Sequence, residues 1–109
     1  MKFRKKPVVI EAIKFDGSIR SADEICLWSN KDRDGAPLSD PIIDYVVYKG
    51  NVQDLLVHTL EGDMRVDPND WVIREVAGEF YPCKPDIFKA TYETVDDLIG
   101  HAPRRKEIL

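Results

Sequence analysis

Few residues in this chain are placed to do chemistry, and the densest group is "EFYPCKPDIF" (Glu79–Phe88), with Cys83, Lys84 and Asp86 close together. A nucleophilic cysteine needs a base and a lowered pKa. Lys84 points away from Cys83 in an extended chain. No local motif ties Cys83 to His58 or His101, the only two histidines. Proline explains the spacing instead. Pro82 cannot donate to a sheet ladder and marks a strand edge or end. Pro85 holds Lys84 extended and suits the first position of a helical turn over Pro85–Phe88, with Ile87 and Phe88 plugging the core. The stretch therefore reads as a strand ending and a turn, and no catalytic residue is assigned.

A second group, His58, Glu61, Asp63, Asp67 and Asp70, combines an imidazole with carboxylates. Such a set can bind a divalent metal or hydrolyse a phosphodiester. The spacing matches no metal motif, and acids in turns commonly serve turn and capping geometry. No metal site and no cofactor are expected, and a metal-dependent phosphodiester hydrolase stands as an alternative.

The third group is cationic and aromatic. Arg65, Arg74 and Lys84 can hold phosphate, and Trp71 and Tyr81 can stack on a base. Trp28 and the N-terminal Lys2, Arg4, Lys5 and Lys6 extend the set. Glu11, an acid between Val9 and Ile13, has two readings: a salt bridge at the sheet, or a carboxylate facing a ligand. The expected ligand residues are Arg65, Arg74, Lys84, Trp71, Tyr81 and Glu11. The competing reading makes Trp71 and Tyr81 cross-strand or core residues and Arg65 and Arg74 solvated charges.

The whole chain bounds these readings. It has 109 residues, 43% hydrophobic and 33% charged, which suits one folded domain with one core. The formal net charge of -4 argues against a stable grip on a nucleic-acid polymer. Basic residues crowd both ends, with Arg104, Arg105 and Lys106 at the second, and would form one patch if the ends meet. The stretch after Lys6 is too short and too charged for a signal peptide or membrane helix, so no membrane partner is expected. Two cysteines are too few for a disulfide framework or zinc site and fit a reducing cytoplasm.

The elements that must position these residues are mostly strands. "PVVIEAIKF" (Pro7–Phe15) is apolar on both faces and reads as a central strand. Ser21 to Glu24 has the pattern of a capping box, predicting a helix over Ala22–Trp28 with Ile25 and Trp28 on one face. "NKDRDGAPLSDP" (Asn30–Pro41) is a loop of a length at which loops are functional or mobile. Then follow "IIDYVVY", a turn at Lys49–Asn51, "VQDLLVHTL", a turn at Glu61–Gly62, "DMRV", the turn "DPND", "WVIREV", a turn at Ala77–Gly78 and "EFYPC". "ATYETV" is the expected last strand. Thr94 resembles another N-cap with Gly100 as the stop, and His101–Leu109 reads as a tail. The fold class is therefore α+β: one domain over residues 1–100, an antiparallel β-meander of about six strands curling toward a partial barrel, and one short helix after the first strand.

Thr59 to Val95, "TLEGDMRVDPNDWVIREVAGEFYPCKPDIFKATYETV", together with "KKPVVIEAIKF" near the start, resembles small bacteriophage and prophage proteins of the PGDYG-motif type. Their order is a strand, a Pro-Gly-Asp turn, an aromatic-plus-aliphatic strand, a "GE" turn and a "KPDIF–TYE" ending. Asn69 stands where that family has glycine, and asparagine tolerates the left-handed backbone such a turn requires. The resemblance implies a phage origin and brings no active site. The resulting expectation is a phage accessory protein in the host cytoplasm. It binds a small anionic ligand without cleaving it, such as a nucleotide immune signal, and an exposed meander edge offers a homo-oligomer interface. A host-protein or virion interaction module is the alternative.

Overall fold

The computed structural model describes residues 1–4 and 6–95 and the backbone of strand Lys106–Ile108. In chain order it has β1 (Ile10–Lys14), α1 (Ile19–Ser29), β2 (Ile43–Tyr48), β3 (Asn51–Thr59), β4 (Gly62–Arg65), β5 (Trp71–Arg74), β6 (Phe80–Cys83), α2 (Pro85–Thr91) and β7 (Lys106–Ile108). The α+β class and the antiparallel pairing hold. The strands do not form one meander or a barrel, however. They divide into a four-stranded sheet, ordered β6-β5-β1-β7, and a three-stranded sheet, ordered β2-β3-β4.

β1 is central, as its two apolar faces require. Ile10 and Ala12 pack with Ile73 and Phe88 on one side. Ile13 and Phe15 join the larger core on the other, with Ala22, Ile25 and Trp28 of α1, Leu55 and Val57 of β3, and Phe80 of β6. The layers are thus α2, the four-stranded sheet, and then α1 with the three-stranded sheet.

The helix after β1 begins earlier than the capping box predicted. Ser18, not Ser21, is the N-cap, and its Oγ accepts from the Ser21 N–H at 3.0 Å. Asp16 displaces the expected start: its Oδ1 accepts from the Ser18 N–H at 2.8 Å and from the Ser21 hydroxyl at 2.7 Å. Those bonds hold the Asp16 carboxyl down at about 2. At the other end, Asn30 caps the helix and clamps it to β2. Its Oδ1 accepts from the Ile42 and Ile43 N–H groups and its Nδ2 donates to the Ile43 carbonyl at 2.7 Å.

A second helix takes Ala90 and Thr91 from the expected last strand, and residues 92–95 follow outside any named helix or strand. α2 runs on through Ala90 and Thr91, where Phe88 stacks on Trp71 and Tyr92, four residues further on, packs tilted against Phe88. Pro85 takes the first helical position, as expected, but Ile87 faces solvent and Phe88 alone enters the core. The expected tail contributes β7, whose Glu107 pairs with Glu11 and whose Lys106 pairs with Ala12. The N-cap motif beginning at Thr94 runs into residues outside those described. So do Lys5, Arg104 and Arg105 of the expected basic patch.

Two tight turns explain the strand pairing. Lys49 and Gly50, at φ 51 and 79, make the two-residue β2–β3 connection, with both residues left-handed as a type I′ turn needs. Leu60 and Glu61 make the β3–β4 connection, one residue earlier than expected, because Gly62 already pairs with Thr59. In "DPND", Asn69 has φ 77, and the Asp70 N–H donates to the Asp67 carbonyl at 3.0 Å. This is the left-handed position anticipated for asparagine. The turn also docks on β1: the Asn69 N–H donates to the Phe15 carbonyl and the Phe15 N–H to that of Asp70.

Candidate functional site

The structure does not bring the six expected ligand residues together. Arg65 is occupied by acids, with NH1 3.3 Å from Asp54 and Nε 3.2 Å from Asp67. Lys84 reaches the same Asp67 at 2.7 Å and Asp70 at 2.9 Å, and these bonds push its pKa up. Trp71 lies on the far side of the four-stranded sheet, stacked on Phe88 with ring centroids 4.2 Å apart. Tyr81 donates its hydroxyl to Glu79. Glu11 accepts from the Trp28 indole N–H of α1 at 3.1 Å, a bond to the helix rather than the expected salt bridge to a neighbouring strand. Arg65 and Lys84 therefore act in ion pairs of the fold, and only Arg74 and Tyr81 line the cleft that remains.

That cleft lies where the two sheets meet. Its first compartment, about 380 Å³, is floored by Trp28 and Phe80, whose rings meet edge to face at 5.1 Å. Arg74 is directly opposite Phe80 in the β5–β6 ladder and directly opposite Glu11 in the β1–β5 ladder. Its guanidinium carbon lies 6.0 Å from the Phe80 ring centre. The other wall is the loop after α1, which contributes Lys31, Arg33 and Gly35. Three cations thus border one aromatic-floored concavity. Asp32 also lines it, but one of its oxygens already accepts the N–H groups of Asp34 and Ala36, both at 2.9 Å. Lone pairs spent on the loop's own backbone give that loop its shape. Sequence reasoning missed Lys31 and Arg33. The available signal was their position in a charged loop of functional length, and it gave no indication that the loop folds back toward Arg74.

A second compartment, about 510 Å³, adjoins the first along Ile42, Gly78 and Phe80. Tyr81, Leu60, Glu61 and Glu79 extend it toward the β3–β4 turn. His58 lies on its wall, with Nδ1 2.7 Å from Asp63 and Nε2 3.0 Å from Asp44. The two carboxylates raise the imidazole pKa against a smaller opposing effect of burial.

No family model matches this chain, and no curated protein or solved structure matches it. The functional reading therefore rests on the cleft.

The hydrolase arrangement does not assemble. Both ring nitrogens of His58 are taken by Asp63 and Asp44, while Asp67 and Asp70 turn to Lys84. Among the described residues no group of three or more His, Cys, Asp or Glu is disposed to hold a metal ion. Burial first, then Asp70 and Asp86, push the Cys83 thiol pKa up, which disfavours its thiolate. Burial drives Cys26 to about 11. Among the described residues no helix is long and apolar enough to cross a membrane.

Proposed function

We propose that this protein binds a small anionic ligand, a nucleotide-type signal, in the cleft between its two sheets and does not cleave it. The observation that carries this reading is that Lys31, Arg33 and Arg74 outnumber the one acid, Asp32, in the lining of a concavity floored by Trp28 and Phe80. Guanidinium and ammonium groups bind phosphate through charge-assisted hydrogen bonds, and an aromatic floor supplies apolar contact to a ring. A net-negative body with one locally basic cleft favours a small anion over a nucleic-acid polymer, which needs an extended basic surface.

The sequence resemblance to small phage proteins extends the reading. A phage accessory protein in the bacterial cytoplasm would use such a cleft to sequester a nucleotide immune signal and return it intact on unfolding. Edge strand β4, exposed along its length, is available for pairing two copies.

Titration calorimetry against cyclic and linear nucleotides tests the reading. Charge reversal at Arg74 or Arg33 should weaken binding roughly tenfold to a hundredfold, the cost of about 1.5–3 kcal/mol for a lost charge-assisted hydrogen bond. No heat with any nucleotide, with a host protein recovered from infected cells instead, would favour an interaction module. Nucleotide recovered as hydrolysis products would make the protein an enzyme.

A further inference from the structure

We propose that the larger compartment is the second half of the same site and takes the uncharged, ring-bearing end of the ligand. A nucleoside phosphate would then lie with its phosphate against Lys31, Arg33 and Arg74 and its sugar and base against Phe80, Tyr81 and Glu79. This inference rests on the anion-binding reading above and adds the orientation of the ligand in the cleft.

The two compartments share Ile42, Gly78 and Phe80 in their linings, so they are neighbours on one surface. At the junction Gly78 presents only backbone, and a Cβ built there would meet nothing within 4 Å. No side chain at Gly78 narrows the surface there. Charge differs sharply between the ends. The small compartment carries Lys31, Arg33 and Arg74 against the single acid Asp32, and the large one carries Glu61 and Glu79.

His58 does not offset those acids, because its imidazole is bracketed by Asp44 and Asp63 and the trio is net negative even when the ring is protonated. A phosphate is repelled from the large compartment and attracted to the small one. Carboxylates in a concave site accept from donors, and a nucleoside offers them as sugar hydroxyls and base amino groups. The Tyr81 hydroxyl donates to one Glu79 oxygen, Oε2, which orients that carboxylate. Ile42 and the Phe80 and Tyr81 rings supply apolar surface for the rest of the ligand. At about 510 Å³ the compartment has the size of a small-molecule pocket.

The experiment is calorimetry of the full chain with inorganic phosphate and with the four ribonucleoside monophosphates. At least one monophosphate should bind tenfold or more tightly than phosphate. Glu79→Gln should narrow that preference at least threefold, and Tyr81→Phe should narrow it in the same direction. Arg74→Glu should weaken phosphate and nucleotide together. Glu79 is exposed, so its variant should fold, and an unchanged melting temperature checks this. Glu61→Gln provides a second probe of the same end. Phosphate bound as tightly as every monophosphate would overturn this inference alone, as would a preference that Glu79→Gln leaves unchanged. Failure of wild-type protein to bind either probe would overturn the anion-binding reading as well.

Discussion

The Lys84 ammonium lies 2.9 Å from Oδ2 of Asp70, a residue only 2% exposed. The same oxygen accepts the Asp67 backbone N–H at 2.9 Å. Lys84 thus neutralises a carboxylate that braces the "DPND" turn from within. Lys84→Met should lower the melting temperature and leave anion affinity within about twofold, since no bond to ligand is lost. Asp70→Ala should cost about 1–3 kcal/mol in chemical denaturation, because it strands the Asp67 N–H and frees Lys84. A loss of anion affinity in Lys84→Met without loss of stability would return Lys84 to the ligand site.

Asn30 makes three hydrogen bonds to the backbone of Ile42 and Ile43. At about 1 kcal/mol net for each bond, Asn30→Ala should destabilise by about 2–3 kcal/mol. Asn30→Asp removes the donor to the Ile43 carbonyl and should lie between wild type and alanine at neutral pH. Because Asn30 anchors the loop carrying Lys31 and Arg33, a folded variant should also bind the anionic ligand more weakly.

Asn69 holds a φ of 77. Asn69→Gly should be nearly neutral, and Asn69→Ala should lose about 1 kcal/mol, since only the alanine pays a Cβ penalty in the left-handed region. Equal stability of the two variants would show that the turn relaxes to another conformation.

His58 should make stability pH-dependent. Asp63 and Asp44 raise its folded-state pKa above the ordinary histidine value. Its stabilising contribution is therefore complete below the unfolded pKa, near 6.5, and fades as pH rises through the raised value. Melting temperatures from pH 5 to 9 should fall across that window in wild type and fall less in His58→Gln. Asp16 acts with the opposite sign. Its carboxyl is depressed to about 2, so its contribution is fully present above the ordinary aspartate pKa and is lost as pH falls from there through about 2.

Local patterns carried most of the elements. Two apolar faces revealed β1 as central, Pro82 placed β6 at an edge, and Pro85 started α2. Partition of the strands into two sheets was not legible, because a turn signal between β4 and β5 looks the same whether the chain pairs back or crosses to another sheet. The site was less legible still. Arg65, Lys84 and Arg74 look alike in sequence. What separates them is which acids the fold brings within reach, and Asp54, Asp67 and Asp70 claim only the first two. Lys31 and Arg33 matter through a loop whose path depends on Asn30 and Asp32, two side chains bonding to backbone.

The sheet topology also orders assembly in time. β2, β3 and β4 are joined by tight turns and pair with their sequence neighbours. β1 instead waits for β5 from the second half of the chain and for β7 at residues 106–108. Local contacts close with little entropic cost, whereas distant ones close slowly. Pulse-labelled hydrogen exchange during refolding should therefore find amides of β3 protected before those of β1. A growing chain would carry β1 as an unsatisfied apolar strand through most of its synthesis, and that interval is when it is exposed to misassociation.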